Sequence, residues 1–203
     1  MEKVIFFIDG FNLYHALLEN KRYNRYKWID LYSLAKKFIS KNDKIEEIYY
    51  FTALATWSTD KVKRHKLFIK AQEIKGARII YGEFKKRDKY CRICKNTYQT
   101  FEEKQTDVNI AIQLFKLAIQ EKYDKALIIS GDSDLIPSIE AVKSTFPSKQ
   151  IGVIIPIGRR AEQLKQTCDF YMKIKEKHLK ASMLPDVINL GDGKKIERPK
   201  HWK

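Results

Sequence analysis

Five side chains with the chemistry of a hard-cation site stand at turn-like places in the chain. Asp9 and Asn12 lie in FFIDGFN, Asp107 in EEKQTDVNIA, and Asp132 and Asp134 in IISGDSD. Carboxylates gathered together repel one another, and the cluster is costly unless a cation sits among them. Mg²⁺ and Mn²⁺ prefer oxygen ligands, keep several waters and bridge to phosphates. A bound ion of this kind lowers the pKa of a water and stabilises a leaving oxygen, which is the chemistry of phosphodiester hydrolysis. Singly, the same residues have plainer uses. Asp132 or Ser133 would cap a helix, and Asp107 would favour a helix dipole. Taken together, with Gly10 and Gly131 at the turns, they point to a site.

The elements that must position them follow from apolar periodicity. Val4–Ile8, Ile48–Ala53, Ala77–Phe84, Ala126–Ile129, Ile151–Ile155 and Phe170–Ile174 read as strands. Between them, residues 11–19, 31–39, 61–74, 107–120, 135–143 and 160–166 carry helical spacing, with Thr106 as the expected N-cap of the fourth. Buried strands alternating with helices predict an α/β fold, a central parallel sheet with helices on both faces. In such sheets ligands bind outside the carboxyl ends of the strands, where strand order reverses. Asp9 follows the first strand and Asp132 and Asp134 the fourth. Asp169 precedes the last. Neither glycine region matches a nucleotide-binding loop, so no nucleotide cofactor is expected.

The chain has 203 residues and a net charge of +15, which suits one domain that attracts polyanions. From Lys61 to Lys95 there are 13 Lys/Arg against three acids. Trp57, Phe68, Tyr81, Phe84, Tyr90 and Tyr98 are interleaved with them. Basic and aromatic residues so mixed suit a surface that neutralises phosphates and stacks unpaired bases, although several of these aromatics would equally serve a core. Lys63, Arg64, Lys85, Lys86 and Arg87 are the expected RNA contacts; Arg159 and Arg160 would either clamp a phosphate or stand as a solvated pair. Binding should therefore weaken with salt.

Residues 85–104 break the rhythm as a basic insertion. Within it, Cys91 and Cys94 have the CxxC spacing that grips Zn²⁺. Two ligands make half a site, and a second chain would supply the rest, so a homodimer is one expectation and a metal-free basic hairpin the other. His15, one turn beyond Asp9, has the chemistry of a general base, although a lone helical His is more often packed or exposed. The stretch 181–203 reads as an extended basic tail after a domain over 1–180. No secretory leader or membrane span is expected, and three cysteines suit a reducing cytoplasm.

Four segments together resemble the NYN-domain family of the PIN-like nuclease superfamily. They are FFIDGFNLYHAL, EEKQTDVNIAIQLFKLA, YDKALIISGDSDLIPSIEAVK and IGVIIPIGRRAEQLKQTCDFY, in that order and spacing. The resemblance covers nearly the whole chain. It implies a PIN-like three-layer sandwich and a Mg²⁺- or Mn²⁺-dependent endoribonuclease. By position, Asp9, Asp107, Asp132 and Asp134 match the acidic residues and Asn12 the polar residue after the first strand. Asp9 and Asp132 are implied as direct ligands. Asp107 and Asp134 would complete the shell or hold metal-bound waters. Asn12 would orient water or a phosphate oxygen, supported by Ser130 or Ser133. The alternative is an RNA-binding regulatory module of the same fold that turns over little.

Overall fold

The first strand of the computed structural model shows why the fold has three layers. The model describes residues 1–191 and 193–202. Strand β1 (Glu2–Asp9) alternates its side chains: Val4, Phe6 and Ile8 enter one core, Ile5 and Phe7 the other. All five are essentially inaccessible to water. Each such side chain contributes about 1.5–3 kcal/mol relative to exposure, so both faces of the sheet must be covered.

The first core is covered by α1 (Gly10–Leu18), α2 (Leu31–Ala35) and, after β2 (Asp43–Thr52), by α3 (Thr59–Ile74). Strand β3 (Ala77–Tyr81) follows. The hairpin β4 (Glu83–Tyr90) and β5 (Thr97–Lys104) pairs antiparallel and forms a sheet of its own. The second core is covered by α4 (Thr106–Ile119), then by α5 (Ile136–Thr145) after β6 (Lys125–Ile129), and by α6 (Glu162–Thr167) after β7 (Gln150–Ile155). Strand β8 (Phe170–Lys173), α7 (Glu176–Lys180) and a hairpin of β9 (Val187–Gly191) and β10 (Lys194–Glu197) complete the order.

The main sheet has six parallel strands in the order β3-β2-β1-β6-β7-β8. Order reverses between β1 and β6, the crevice in which such sheets bind ligands. The α/β expectation therefore holds, with three differences. The expected strand over 77–84 breaks at Gly82, where a Cβ would lie 2.6 Å from the Lys104 carbonyl and 2.8 Å from the Thr106 hydroxyl. The backbone turns there into the insertion, which is a regular hairpin.

The expected N-cap of α4 also moves. The helix begins at Thr106, preceded by Gln105 in a left-handed conformation (φ 76°), and the Thr106 hydroxyl caps nothing. The Glu103 carboxylate instead accepts the Thr106 N–H at 3.2 Å.

The third difference is the tail. Residues 181–203 were expected to extend; Asp192 and Lys203 lie outside the described residues. The rest folds back onto the first core. Ile188, Ile196 and Trp202 are buried there, the Trp28 indole donates to the Pro185 carbonyl at 2.8 Å, and Arg198 donates to the Arg25 carbonyl at 2.7 Å. With Leu184, four apolar side chains scattered among Gly, Pro and Lys dock it. Among the described residues no helix is long and apolar enough to cross a membrane.

Candidate metal and phosphate site

Asp9 ends β1 at the reversal point and caps α1: its Oδ1 accepts the Asn12 N–H at 2.9 Å. Its Oδ2 accepts the Ser130 hydroxyl at 2.8 Å across the crevice. Asn12 reaches the same way, its Oδ1 accepting the Gly131 N–H at 2.9 Å. Asp132 continues the network: its N–H donates to Ser130 Oγ at 3.1 Å, and its Oδ1 accepts the Asp134 N–H at 3.0 Å. The loop after β1 and the loop after β6 are thus tied by side chains (Ser130 and Asn12) rather than by sheet pairing. On the other side Gly10 lets the start of α1 lie against β2, since a Cβ there would meet the Phe51 carbonyl at 2.6 Å and the Tyr50 ring at 2.7 Å.

Asp107 enters from the first turn of α4. Burial pushes its carboxyl up to about 6, with help from the charges of Asp9, Asp132, Glu103 and Asp134. Burial likewise pushes Asp9 up to about 6, against its two hydrogen bonds and with added repulsion from Asp132 and Glu103. The four expected aspartates therefore share one field. Glu103 on β5 belongs with them and was not anticipated. The EEKQTD stretch offers two glutamates, and only the hairpin register separates their roles. Glu103 lies opposite Phe84, while Glu102 lies opposite Lys85 and pairs with Lys89 at 3.0 Å.

Among the described residues no three His, Cys, Asp or Glu side chains close on a single point as a protein cage would. The donor set is oxygen only and mutually repelling. That fits a hard ion held by one or two carboxylates with waters filling the remaining positions, the habit of Mg²⁺, better than an enclosing site. Asp9 and Asp132, with Asp107 and Asp134 around them, are the residues that would hold it.

Asp169 lies elsewhere. Its Oδ2 accepts the Ile151 N–H at 2.7 Å and its Oδ1 pairs with Lys143 at 2.8 Å, at the amino end of the sheet. It joins strands at the end of the sheet opposite Asp9 and Asp132. His15 stands on the open face of α1, and partial desolvation by its neighbours together with the Arg159 charge holds its imidazole below the usual range.

The expected RNA contacts divide. Arg159 packs beside Gly131, its Cβ 3.6 Å from where a Gly131 side chain would begin, and pairs with Glu19 at 2.9 Å. Arg160 is exposed. Lys63 and Arg64 lie on α3. Strand alternation puts Lys85 and Arg87 on the outer face of the hairpin with Glu83 and Glu102, and Lys86 on the inner face with Phe84 and Glu103. The hairpin is therefore not one basic face. Its inner face docks through aromatics: Trp57 stacks on Phe101 with centroids 3.8 Å apart, and Phe84 meets Trp57 and Phe11 edge-on.

Cys91 and Cys94 form the tip. The Cys91 N–H donates to the Asn96 carbonyl at 2.9 Å, and Lys95 takes the left-handed conformation (φ 59°). Hydrogen bonding from Cys94 holds the Cys91 thiol below its usual range. No further Cys or His among the described residues completes a site.

A six-stranded parallel sheet with helices on both faces, its strand order reversing between β1 and β6, is a PIN-like architecture. Residues 3–175 match the NYN domain, and the chain belongs to that family. It is similar to 6-hydroxy-3-succinoylpyridine 3-monooxygenase HspA of Pseudomonas putida, at 26% identity over 97% of this chain and 74% of that protein. Its fold is similar to that of a crystallised protein of unknown function from Vibrio parahaemolyticus, with a TM-score of 0.62 at 16% identity, over 90% of this chain and 96% of the other.

Proposed function

We propose that this protein is a divalent-metal-dependent endoribonuclease of the cytoplasm. The observation that carries the reading is the hydrogen-bonded network that ties Asp9, Asn12, Ser130 and Asp132 together at the reversal point, with the Asp107 carboxyl raised beside it, in a chain of net charge +15. A bound Mg²⁺ or Mn²⁺ would lower the pKa of a water and stabilise the leaving oxygen. Asp9 and Asp132 would be direct ligands. Asp107 and Asp134 would complete the shell or orient bound waters, and Glu103 adds a fifth carboxylate from the hairpin. Asn12 and Ser130 hold the two loops at fixed spacing. Arg159, beside Gly131, is placed to meet a phosphate, and Lys63, Arg64 and Lys86 would carry the strand on either side.

Cys91 and Cys94 would bind Zn²⁺ only with two ligands from a second chain, which makes a zinc-bridged homodimer part of the proposal. A second reading comes from the relative named as a monooxygenase of 6-hydroxy-3-succinoylpyridine. A largely apolar cavity beside Asp9, described below, favours that reading to the extent that it fits one aromatic ring.

Cleavage of labelled single-stranded RNA with Mn²⁺ or Mg²⁺, comparing the wild type with Asp132→Asn, tests the proposal. Cutting by the wild type alone, stopped by EDTA, supports it. Binding by both without cutting favours an RNA-binding module instead. Equal cutting by both refutes the assigned site.

A further inference from the structure

A cavity of about 120 Å³ opens beside α1, and nothing in the carboxylate chemistry uses it. Leu13, Leu17, Ile29, Ala53 and Phe68 make its walls apolar, and Trp202 from the folded-back tail is part of its lining. A cavity of roughly 150 Å³ with such walls accepts benzene, so this volume is on the scale of a single six-membered ring. Polar groups occur at a few points: Tyr14, Tyr50 and Thr52 contribute hydroxyls, and Thr52 Oγ1 lies 3.2 Å from His65 Nε2. Burial pushes His65 down to about 4, so its imidazole is neutral at pH 7 and offers one donor and one acceptor.

Three cations line the same cavity: Lys27, Lys61 and Arg64. Among the described residues no carboxylate forms an ion pair with any of them, whereas Arg159, Lys85 and Arg87 are all paired. Lys27 is held below its usual range by burial and by the Arg64 charge, so two like charges stand together without compensation. Like charges so arranged favour an anion. Gly10 and Phe11 line this cavity and directly follow Asp9, so the apolar space and the carboxylates share one turn of chain.

We infer that this cavity is a pyrimidine-nucleotide subsite, taking one base of an RNA strand between its apolar walls and that nucleotide's phosphate on Lys27, Lys61 and Arg64. The inference rests on the nuclease reading for the substrate's identity. The shared chemistry is a single aromatic ring carrying an anionic group, which an aromatic carboxylate also has. A purine, with its second ring, exceeds the volume.

Calorimetric titration of the full chain in EDTA separates the sources without any cleavage. The probes are uridine 5′-monophosphate, uridine, adenosine 5′-monophosphate and pyridine-3-carboxylate. Uridine 5′-monophosphate should bind on the order of tenfold tighter than uridine, the scale of one charge-assisted contact, and tighter than adenosine 5′-monophosphate, whose second ring does not fit. Lys61→Ala/Arg64→Ala should remove the advantage over uridine. Ala55→Phe, which narrows the cavity, should weaken the nucleotide. Tighter binding of pyridine-3-carboxylate than of the nucleotide overturns the inference in favour of a small aromatic acid. Absence of nucleotide binding, or binding indifferent to both cavity variants, also overturns it. If the nucleotide binds as stated while no RNA is cut, the cavity stands and the nuclease reading falls.

Discussion

The hydroxyl of Ser130 donates to Asp9 Oδ2 at 2.8 Å while the same oxygen accepts the Asp132 N–H at 3.1 Å. One fully buried side chain therefore fixes the carboxylate of the first strand against the loop of the sixth. Ser130→Ala leaves that carboxylate oxygen without this donor and should cost about 1–3 kcal/mol in urea denaturation. Because the hydroxyl lowers the Asp9 pKa, its loss should also raise the pH needed for Mn²⁺ binding. Ser130→Thr, which keeps the hydroxyl, should restore the pH dependence; if it does not, the hydroxyl is not the cause.

Asp9 has a folded-state pKa near 6 against an ordinary 3.8. The folded chain thus holds this proton more tightly than the unfolded chain does, and Asp9 costs stability as pH rises from about 4 through 6. Asp9→Asn should therefore be the more stable protein at pH 7 without metal, by on the order of 3 kcal/mol, with the gap closing toward pH 4. His65, depressed to about 4, works the other way: its neutral form contributes stability above pH 6.5 that is lost as pH falls through 4. Both proteins share that loss, so the difference between their denaturation midpoints is the quantity to follow. Mn²⁺ should stabilise the wild type at pH 7 and leave Asp9→Asn nearly unmoved.

The hairpin of β4 and β5 is held to the body by Trp57. Trp57→Ala removes the stack on Phe101 and the edge contact with Phe84, each worth about 0.5–1.5 kcal/mol. The residues beyond Lys85 on β4 are exposed, so the global midpoint should fall little. Amide exchange and tryptic cleavage across residues 85–95 should instead accelerate sharply, with Glu103 released from the acidic cluster. Unchanged protection there would mean that other contacts hold the hairpin.

Salt titration of single-stranded RNA binding should separate the basic residues. Removing a phosphate contact lowers the slope of log K against log salt by about 0.7. Lys63→Ala and Lys86→Ala should each give a reduction of that size. Lys85→Ala and Arg87→Ala should give less, since Glu83 and Glu102 already engage them.

The sheet was legible because β1, β6 and β7 are buried on both faces and so read as unbroken apolar runs. The aspartates at their carboxyl ends were legible for the same reason: a strand end and an acid adjoin in the chain. What stayed hidden depends on contacts between distant segments. Glu103 could be told from Glu102 only by antiparallel register, and Asp169 from Asp132 only by which end of a parallel strand each occupies. Lys27, Lys61, Arg64 and Trp202 come from three separate stretches and meet only after the tail folds back. The tail itself was misread because a composition of Gly, Pro and Lys outweighed four well-placed apolar side chains.

Gly10 has a consequence for descent. With no room for even a methyl group, the turn after β1 is frozen, and the carboxylate that precedes it is frozen with it. The hairpin of β4 and β5 is restrained only at its base, by Gly82 and the aromatic dock, and its outer half buries almost nothing. Lengthening it, recharging it or giving its cysteines other partners would disturb folding very little. Descendants of one ancestral sandwich would then be expected to keep the same acidic crevice while acquiring new clientele, with that changeable flap as the part on which selection most readily works.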